Sequence, residues 1–171
     1  MKNLSKVALL SGFVVASSVA HASIGDRLIS LGGEVKVSII HFTGSPGYTN
    51  KMAVQAPNYT YVGTNRDFGT SVNLGTVDAG TEIVLSLVNP NGDKFITGSA
   101  ASNFDNFAHA NVTKISADTF RVDFEDLTGG GDQNYGDGAF EISGVQAVPE
   151  PMSMLALGLG VVGIARRRRK A

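Results

Sequence analysis

The chain of 171 residues contains no cysteine and no tryptophan. Without cysteine it cannot form disulfides, cysteine zinc sites or a thiolate nucleophile. A secreted domain of this chain must therefore take its stability from a hydrophobic core or from a metal ion. The absence of tryptophan also weakens any prediction of carbohydrate binding, because lectin platforms rely on large aromatic rings.

Basic residues are scarce in the middle of the chain. Residues 23–147 contain 14 acidic and 7 basic residues, and the near-neutral charge of the whole chain depends on basic residues at its two ends. A surface that binds DNA or RNA needs the opposite balance. The composition therefore excludes nucleic acid as a partner.

The first 22 residues have the pattern of a cleaved signal peptide. Lys2 and Lys6 form a basic region, and the stretch 7–19 that follows is mostly apolar. The small residues around His21 then match the recognition pattern of signal peptidase, which predicts a signal helix cleaved between Ala22 and Ser23. The apolar part is shorter than the about 20 residues that a membrane span needs.

A second apolar segment lies near the C-terminal end, at residues 152–165. A basic block follows it: Arg166, Arg167, Arg168, Arg169 and Lys170. By the positive-inside rule this block stays in the cytoplasm, so the pattern predicts a short transmembrane helix with the rest of the chain outside. A simple C-terminal anchor is the plainest interpretation of these residues.

The residues before this segment are more distinctive. Pro149-Glu150-Pro151, the short Gly- and Leu-rich helix and the terminal arginines together resemble a PEP-CTERM sorting signal over 148–171. The resemblance implies that a membrane-embedded exosortase recognises Pro149, Glu150 and Pro151 and cuts near them. It also implies an exported bacterial protein, held transiently in the inner membrane with its ectodomain in the periplasm and later found at the cell surface or outside the cell.

The remaining residues, 23–147, have the pattern of β-strands. Val35, Val37 and Ile39 alternate with polar residues, and residues 119–125 alternate in the same way. Residues 82–88 are apolar on both faces, as in a central strand. Clusters of Gly, Pro, Asn and Asp separate these runs, and no long stretch has a helical period. The pattern predicts an all-β ectodomain folded as an antiparallel β-sandwich.

The longest polar segment joins two predicted strands. Phe124 and Phe140 are expected to point inward from paired strands, which leaves residues 126–138 as a connection far longer than the about 2 to 5 residues of a usual hairpin. Oxygen donors crowd this segment: Glu125, Asp126, Asp132, Asn134 and Asp137. Ca²⁺ binds about 6 to 8 such oxygens, so the segment predicts a Ca²⁺ site, with a solvated acidic loop as the alternative.

The same segment resembles the closing motif of a secreted bacterial domain of unknown function, FEDL-x-GGGD-x-DYND followed by a strand. That motif is suspected of binding calcium, and the resemblance extends over much of residues 72–145. Its acids correspond to Glu125, Asp126, Asp132 and Asp137, whereas Asn134 stands where the family usually has an aspartate. Gly136 stands where an asparagine is usual and Gln133 where an arginine is usual, and the carboxylate lost at Asn134 implies weaker calcium binding.

Catalytic chemistry has little support in the residues. His41 continues the inward face of its strand and is expected in the core or at an edge, and His109 with Asp105 is more typical of loop packing than of a site. No metal triad and no G-x-S-x-G motif is present, so no catalytic residue is predicted.

Three functions remain open at this point. The first is a non-catalytic surface or matrix component stabilised by Ca²⁺. The second is a Ca²⁺-dependent module that binds glycans or exopolysaccharide, with an aromatic platform drawn from Tyr48, Tyr59, Tyr61 and Tyr135. The third is an unidentified hydrolase.

Overall fold

The alternating pattern forms eleven strands in the computed structural model, which describes residues 23–45 and 47–149. The strands are β1 Arg27–Ser30, β2 Gly33–Ile40, β3 Lys51–Ala56, β4 Thr60–Thr64, β5 Ser71–Val77, β6 Glu82–Val88, β7 Lys94–Ile96, β8 Ala110–Lys114, β9 Thr119–Phe124, β10 Gly138–Ser143 and β11 Val145–Val148. Two short 3₁₀ turns, Ala100–Ser102 and Thr128–Gly130, interrupt them. The predicted all-β class is confirmed.

The strands form two antiparallel sheets. The six-stranded sheet has the order β11-β1-β6-β3-β4, and its sixth strand, β7, pairs with residues 86–88 of β6. The five-stranded sheet has the order β5-β2-β10-β9-β8. β6 pairs with β1, β3 and β7 and is thus the central strand that its apolar sequence predicts. Phe124 and Phe140 belong to the neighbouring strands β9 and β10, also as predicted.

The inward side chains of both sheets form one hydrophobic core. Val37 and Ile39 of β2 are fully buried against Leu85 and Leu87 of the facing sheet. Within the five-stranded sheet the rings of Phe124 and Phe140 meet edge to face with centroids 6.1 Å apart. This geometry is the one that aromatic quadrupoles favour.

Two short crossings between the sheets pass through a glycine. Gly32 separates β1 from β2 with a φ of +89°, and Gly144 separates β10 from β11 with a φ of +82°. A side chain at Gly144 would collide with the backbone oxygen of Glu34, so this crossing needs glycine. Leu31 donates its N–H to the oxygen of Gly144 at 3.0 Å and ties the two crossings together.

One core prediction is wrong. His41 does not continue the inward face of β2, because the strand ends at Ile40. The His41 ring is exposed and stacks on Phe68, with centroids 3.9 Å apart.

The predicted signal helix and C-terminal helix lie outside the described residues. Within the described part of the chain, no helix has the length and apolar character needed to cross a membrane. The last strand, β11, ends at Val148 and Pro149 follows it directly. The sheet therefore continues up to the first residue of the Pro-Glu-Pro triplet.

Candidate metal centre

The acidic loop runs from Glu125 to Asp137, between the end of β9 and the start of β10. Its backbone turns sharply: three successive glycines have positive φ, and so do Gln133 and Tyr135. Tyr135 secures the turn because its hydroxyl donates to the carbonyl of Ala108 at 3.0 Å. The loop is thus ordered by its own turns and by a contact with a neighbouring segment.

Three carboxylates of this loop converge. Glu125, Asp126 and Asp137 each have a carboxylate oxygen within 4.8 Å of those of the other two. Glu125 and Asp126 are only 1% and 3% exposed, and Asp137 is half-buried. Among the described residues this is where acidic or histidine side chains come close enough to share one metal ion. We call these three residues the acidic cluster.

Burial and mutual repulsion act together on the cluster. Burial first, and then the charge of Asp137, raise the pKa of Glu125 to about 7. The pKa values of Asp126 and Asp137 are raised as well, first by burial and then by neighbouring carboxylates. None of the ion pairs formed among the described residues involves the cluster. The protein therefore gathers negative charge here without supplying a cation of its own.

The side chain of Glu125 lies against Gly131, where any larger residue would collide with it. Its Oε1 accepts the N–H of Leu127 at 3.3 Å, whereas its Oε2 is buried and has no hydrogen-bond partner. A Cβ at Gly131 would lie 2.5 Å from Oε1. An ionised, buried carboxylate oxygen without a partner costs free energy, and either a proton shared with Asp137 or a bound cation would remove that cost.

The other two predicted donors lie outside the cluster. Asp132 and Asn134 are exposed, and the amide Nδ2 of Asn134 donates to Asp132 Oδ2 at 2.6 Å. The oxygen Oδ1 of Asn134 accepts the N–H of Gly136 at 2.6 Å. Asp132 still adds charge nearby, since it contributes to the raised pKa of Glu125. Three of the five predicted oxygen donors are thus brought together and two are not.

Three asparagines complete the surroundings of the cluster, and sequence reasoning missed them. Asn50, Asn65 and Asn89 stand directly before or after strands of the six-stranded sheet and are buried. Asn50 Nδ2 donates to Asp126 Oδ2 at 2.7 Å, Asn65 Nδ2 to the Asp137 carbonyl at 2.7 Å, and Asn89 Nδ2 to the Asp126 carbonyl at 3.1 Å. In the sequence each looks like an ordinary turn residue.

His109 supports the backbone of the cluster. It is fully buried against Phe95, with ring centroids 4.0 Å apart. Its Nδ1 lies 2.9 Å from the carbonyl oxygen of Glu125 and its Nε2 lies 2.9 Å from Asp105 Oδ2. That carboxylate oxygen also accepts the N–H of Gly129 at 2.7 Å. Both ring nitrogens are therefore engaged in hydrogen bonds within the protein, as expected for a structural histidine.

The four tyrosines do not form one platform. Tyr135 is buried in the acidic loop and Tyr48 is half-buried. Tyr59 and Tyr61 are 66% and 49% exposed and stand two residues apart at β4, the outer strand of the six-stranded sheet. Tyr61 belongs to β4 and Tyr59 directly precedes it, so strand alternation does not place the two rings on one face.

Of the predicted sorting residues the structure describes Pro149, which is half-buried after β11. Glu150, Pro151, the arginine block and Ala22 lie outside the described residues. Ser23, the predicted first residue after signal cleavage, donates its N–H to Asp26 Oδ2 at 2.9 Å.

Comparison with protein families finds a PEP-CTERM protein-sorting motif at residues 147–170. The match begins at Ala147, which belongs to β11, and extends through the basic block. Comparisons with curated proteins and with solved structures found no match. The chain therefore carries a PEP-CTERM sorting motif, which implies export, sorting through membrane anchoring and processing by exosortase.

Proposed function

We propose that this exosortase-sorted protein is a non-catalytic component of the bacterial cell envelope or extracellular matrix, stabilised by Ca²⁺ bound at the acidic cluster. The ectodomain would face the periplasm while the C-terminal segment is anchored, and would then reach the cell surface or the outside medium. Ca²⁺ is plentiful relative to the cytoplasm only after export, so the ion would act where the mature domain works.

The observation that carries the calcium proposal is the unpartnered Oε2 of Glu125 beside two further carboxylates, that of Asp126 buried and that of Asp137 half-buried. Glu125, Asp126 and Asp137 would hold the ion, since carboxylate oxygens are the ligands that Ca²⁺ prefers. The ion would supply the positive charge that the surrounding residues lack. Its effect on the domain would be structural.

The test is a thermal melt of the purified protein in EDTA, in Ca²⁺ and in Mg²⁺ at matched ionic strength. A ligand at 100 times its Kd stabilises the folded state by about 2.7 kcal/mol. For a domain of this size that is a shift of the midpoint on the order of 10 °C.

The matched pair of variants is Asp137→Ala and Asp132→Ala. Asp137→Ala should abolish the Ca²⁺ response, whereas Asp132→Ala should keep most of it because Asp132 lies outside the cluster. An unchanged midpoint of the unmodified protein across millimolar Ca²⁺ would end the calcium proposal.

A separate experiment addresses sorting. Glu150→Ala in the producing bacterium should leave a longer, unprocessed form in the membrane fraction, detected by immunoblot and mass spectrometry. Normal release of the variant would show that the triplet is not what the exosortase reads.

A second candidate function is Ca²⁺-dependent binding of glycan or exopolysaccharide. Tyr59 and Tyr61 favour it, because two exposed rings at the start of an edge strand are suited to stacking on sugar rings. Retention on the producing strain's exopolysaccharide should then fall in a Tyr59→Ala/Tyr61→Ala variant and in EDTA. Equal retention of the variant would remove this candidate.

A further inference from the structure

The amide of Asn50 has a fixed orientation. Its Nδ2 donates to Asp126 Oδ2 at 2.7 Å and reaches the carbonyl of Asp137 at 3.4 Å. If the amide were rotated by half a turn, its oxygen would face the Asp126 carboxylate, and neither group would have a hydrogen to donate. The backbone of Asn50 is held too, since its N–H donates to Asn65 Oδ1 at 2.9 Å.

This orientation leaves the oxygen Oδ1 of Asn50 without a partner. Asn50 is fully buried, and its Oδ1 is one of three buried side-chain atoms of the described residues that have no hydrogen bond. The second is Glu125 Oε2 and the third is Nε of Arg27. Buried amide oxygens are nearly always paired, so an orphan of this kind calls for a missing partner.

Both orphan oxygens belong to the same small region. Asn50 contacts Asp126 directly, and Asp126 and Glu125 belong to one cluster of oxygens within 4.8 Å. Since Asn50 and Glu125 both adjoin Asp126, one cation bound by both oxygens would be the partner that each lacks. Two separate defects in the polar network would then have one explanation.

We propose that Asn50 Oδ1 is the fourth protein ligand of the ion, beside Glu125, Asp126 and Asp137. This inference rests on the proposed function, because it specifies the ligand set of the same site. It places the ion between the acidic loop and the start of β3, and not out among the exposed donors Asp132 and Asn134.

The position of Asn50 gives the ion a structural task. β3 belongs to the six-stranded sheet, whereas β9 and β10, which flank the acidic loop, belong to the five-stranded sheet. An ion bound by both sides joins the two sheets at this end of the sandwich. In a chain without cysteine it takes the place that a disulfide would have in other secreted domains.

The same ligand set favours Ca²⁺ over Mg²⁺. Mg²⁺ needs near-octahedral geometry and keeps several waters, whereas Ca²⁺ accepts irregular sets of oxygens. Three of the four ligands are almost completely buried, which leaves Asp137 as the side open to water. The site therefore has little room for the hydration shell that Mg²⁺ retains.

The test uses Tb³⁺ as a luminescent probe and Ca²⁺ as its competitor. Tyr135 is suited to sensitise the probe because it is buried in the same loop, close enough to Glu125 for the charge of that carboxylate to act on its hydroxyl. Luminescence decay in H₂O and D₂O counts the waters on the ion. The variants are Asn50→Ala, Asn50→Asp and, as a matched control, Asn89→Ala, which removes a donor to the Asp126 carbonyl but no orphan oxygen.

In Asn50→Ala we expect one more water on Tb³⁺ and Ca²⁺ binding weaker by about tenfold or more. Asn50→Asp should restore the water count, because it returns an oxygen to the same position. Asn89→Ala should leave the count unchanged. These results would support the ligand, since loss of packing alone does not add a water to the ion.

An unchanged water count and affinity in Asn50→Ala, with binding abolished by Asp137→Ala, would overturn the inference and leave the proposed calcium site standing. Absence of any Tb³⁺ or Ca²⁺ binding by the unmodified protein would overturn both. If Asn50→Ala does not fold, Asn50→Asp decides alone: a water count higher than in the unmodified protein would contradict the ligand role.

Discussion

Asp123 and Glu125 stand two residues apart at the end of β9, and the fold treats their charges in opposite ways. Asp123 is paired by Arg121 on the same strand, with Nε and NH2 of the guanidinium 2.7 to 2.9 Å from its carboxylate oxygens. Glu125 is buried, faces two further carboxylates and has no cation beside it among the described residues. One acid is neutralised from within the chain and the other is not.

The difference shows where the protein depends on its surroundings. The pair Arg121–Asp123, with side chains 29% and 15% exposed, is neutral as a unit and needs no ion from outside the chain. A buried group of carboxylates must either take up protons or bind a cation, because uncompensated charge in an apolar setting is costly. The raised pKa of Glu125, about 7, is the proton-binding half of that choice. The proposed Ca²⁺ site is the other half.

The largest effect is expected from a change that displaces the carboxylate of Glu125. Gly131→Ala places a Cβ 2.5 Å from Glu125 Oε1 and 2.8 Å from Leu127 Cβ, at a φ of +44°. We expect a loss of about 2 to 4 kcal/mol in the free energy of unfolding, from overpacking and backbone strain together. Ca²⁺ binding should weaken at the same time. Urea unfolding and calorimetric titration measure the two effects.

The control for this change is Gly129→Ala. Gly129 has a φ of +72° but open space around the position of a Cβ. Its loss should be only the strain of about 1 to 2 kcal/mol, with Ca²⁺ affinity retained. Equal effects of the two variants would show that the position of Glu125 is not what Gly131 protects.

A middle-sized effect is expected from pH in the absence of metal. Glu125 has a pKa of about 7 in the folded chain against an ordinary 4.5. Below about pH 4.5 the group is protonated in both states, whereas between 4.5 and 7 only the folded state keeps the proton. The free energy of unfolding in EDTA should therefore fall as the pH rises through this window and level off above it. The expected change is on the order of 1 to 2 kcal/mol, discounted because Asp137 opens the cluster to water.

Several charged or polar groups lie near Glu125, and the neighbouring acids raise its pKa. Asp126, Asp132 and Asp137 act in the same direction, and His109 contacts its carbonyl oxygen. Glu125→Gln removes the titrating carboxyl, so the slope of stability against pH should flatten in that variant. Saturating Ca²⁺ should reverse the slope of the unmodified protein, because the ion binds the deprotonated form. A slope that is the same with and without Glu125 would contradict the assignment.

The smallest effect is expected at Asp123, whose charge is neutralised by Arg121. Arg121→Ala removes the partner of Asp123 at a partly exposed position and should cost on the order of 1 kcal/mol. The midpoint shift produced by Ca²⁺ should stay the same, measured in the same melts. A changed Ca²⁺ response in this variant would mean that the two acids are not independent and would weaken the contrast between them.

Much of the fold follows from patterns that the sequence displays. The alternation in β2 and β9 predicted two strands with one inward face, and the doubly apolar run of β6 predicted a central strand; all three are confirmed. The prediction for His41 was wrong because alternation indicates a face only while the strand continues, and β2 ends at Ile40.

The candidate site was only half predictable. The acidic loop identified the carboxylates, since short-range composition is visible in the sequence. It did not separate Glu125, Asp126 and Asp137 from the exposed pair Asp132 and Asn134, because the turns at successive glycines decide which side chains point inward. Asn50 lies 76 positions from Asp126, and no local pattern connects them.

The sequence by itself determined the all-β class, the acidic character of the domain and the sorting motif at its C-terminal end, because each depends on residue types at near positions along the chain. Only the tertiary structure decided which oxygens meet. Two antiparallel sheets bring the end of β9, the start of β10 and the residue before β3 to one place, and burial there raises the pKa of the acids and leaves two oxygens unpartnered. Burial and long-range pairing are properties of the folded chain, so the full ligand set appears only when the sheets have packed.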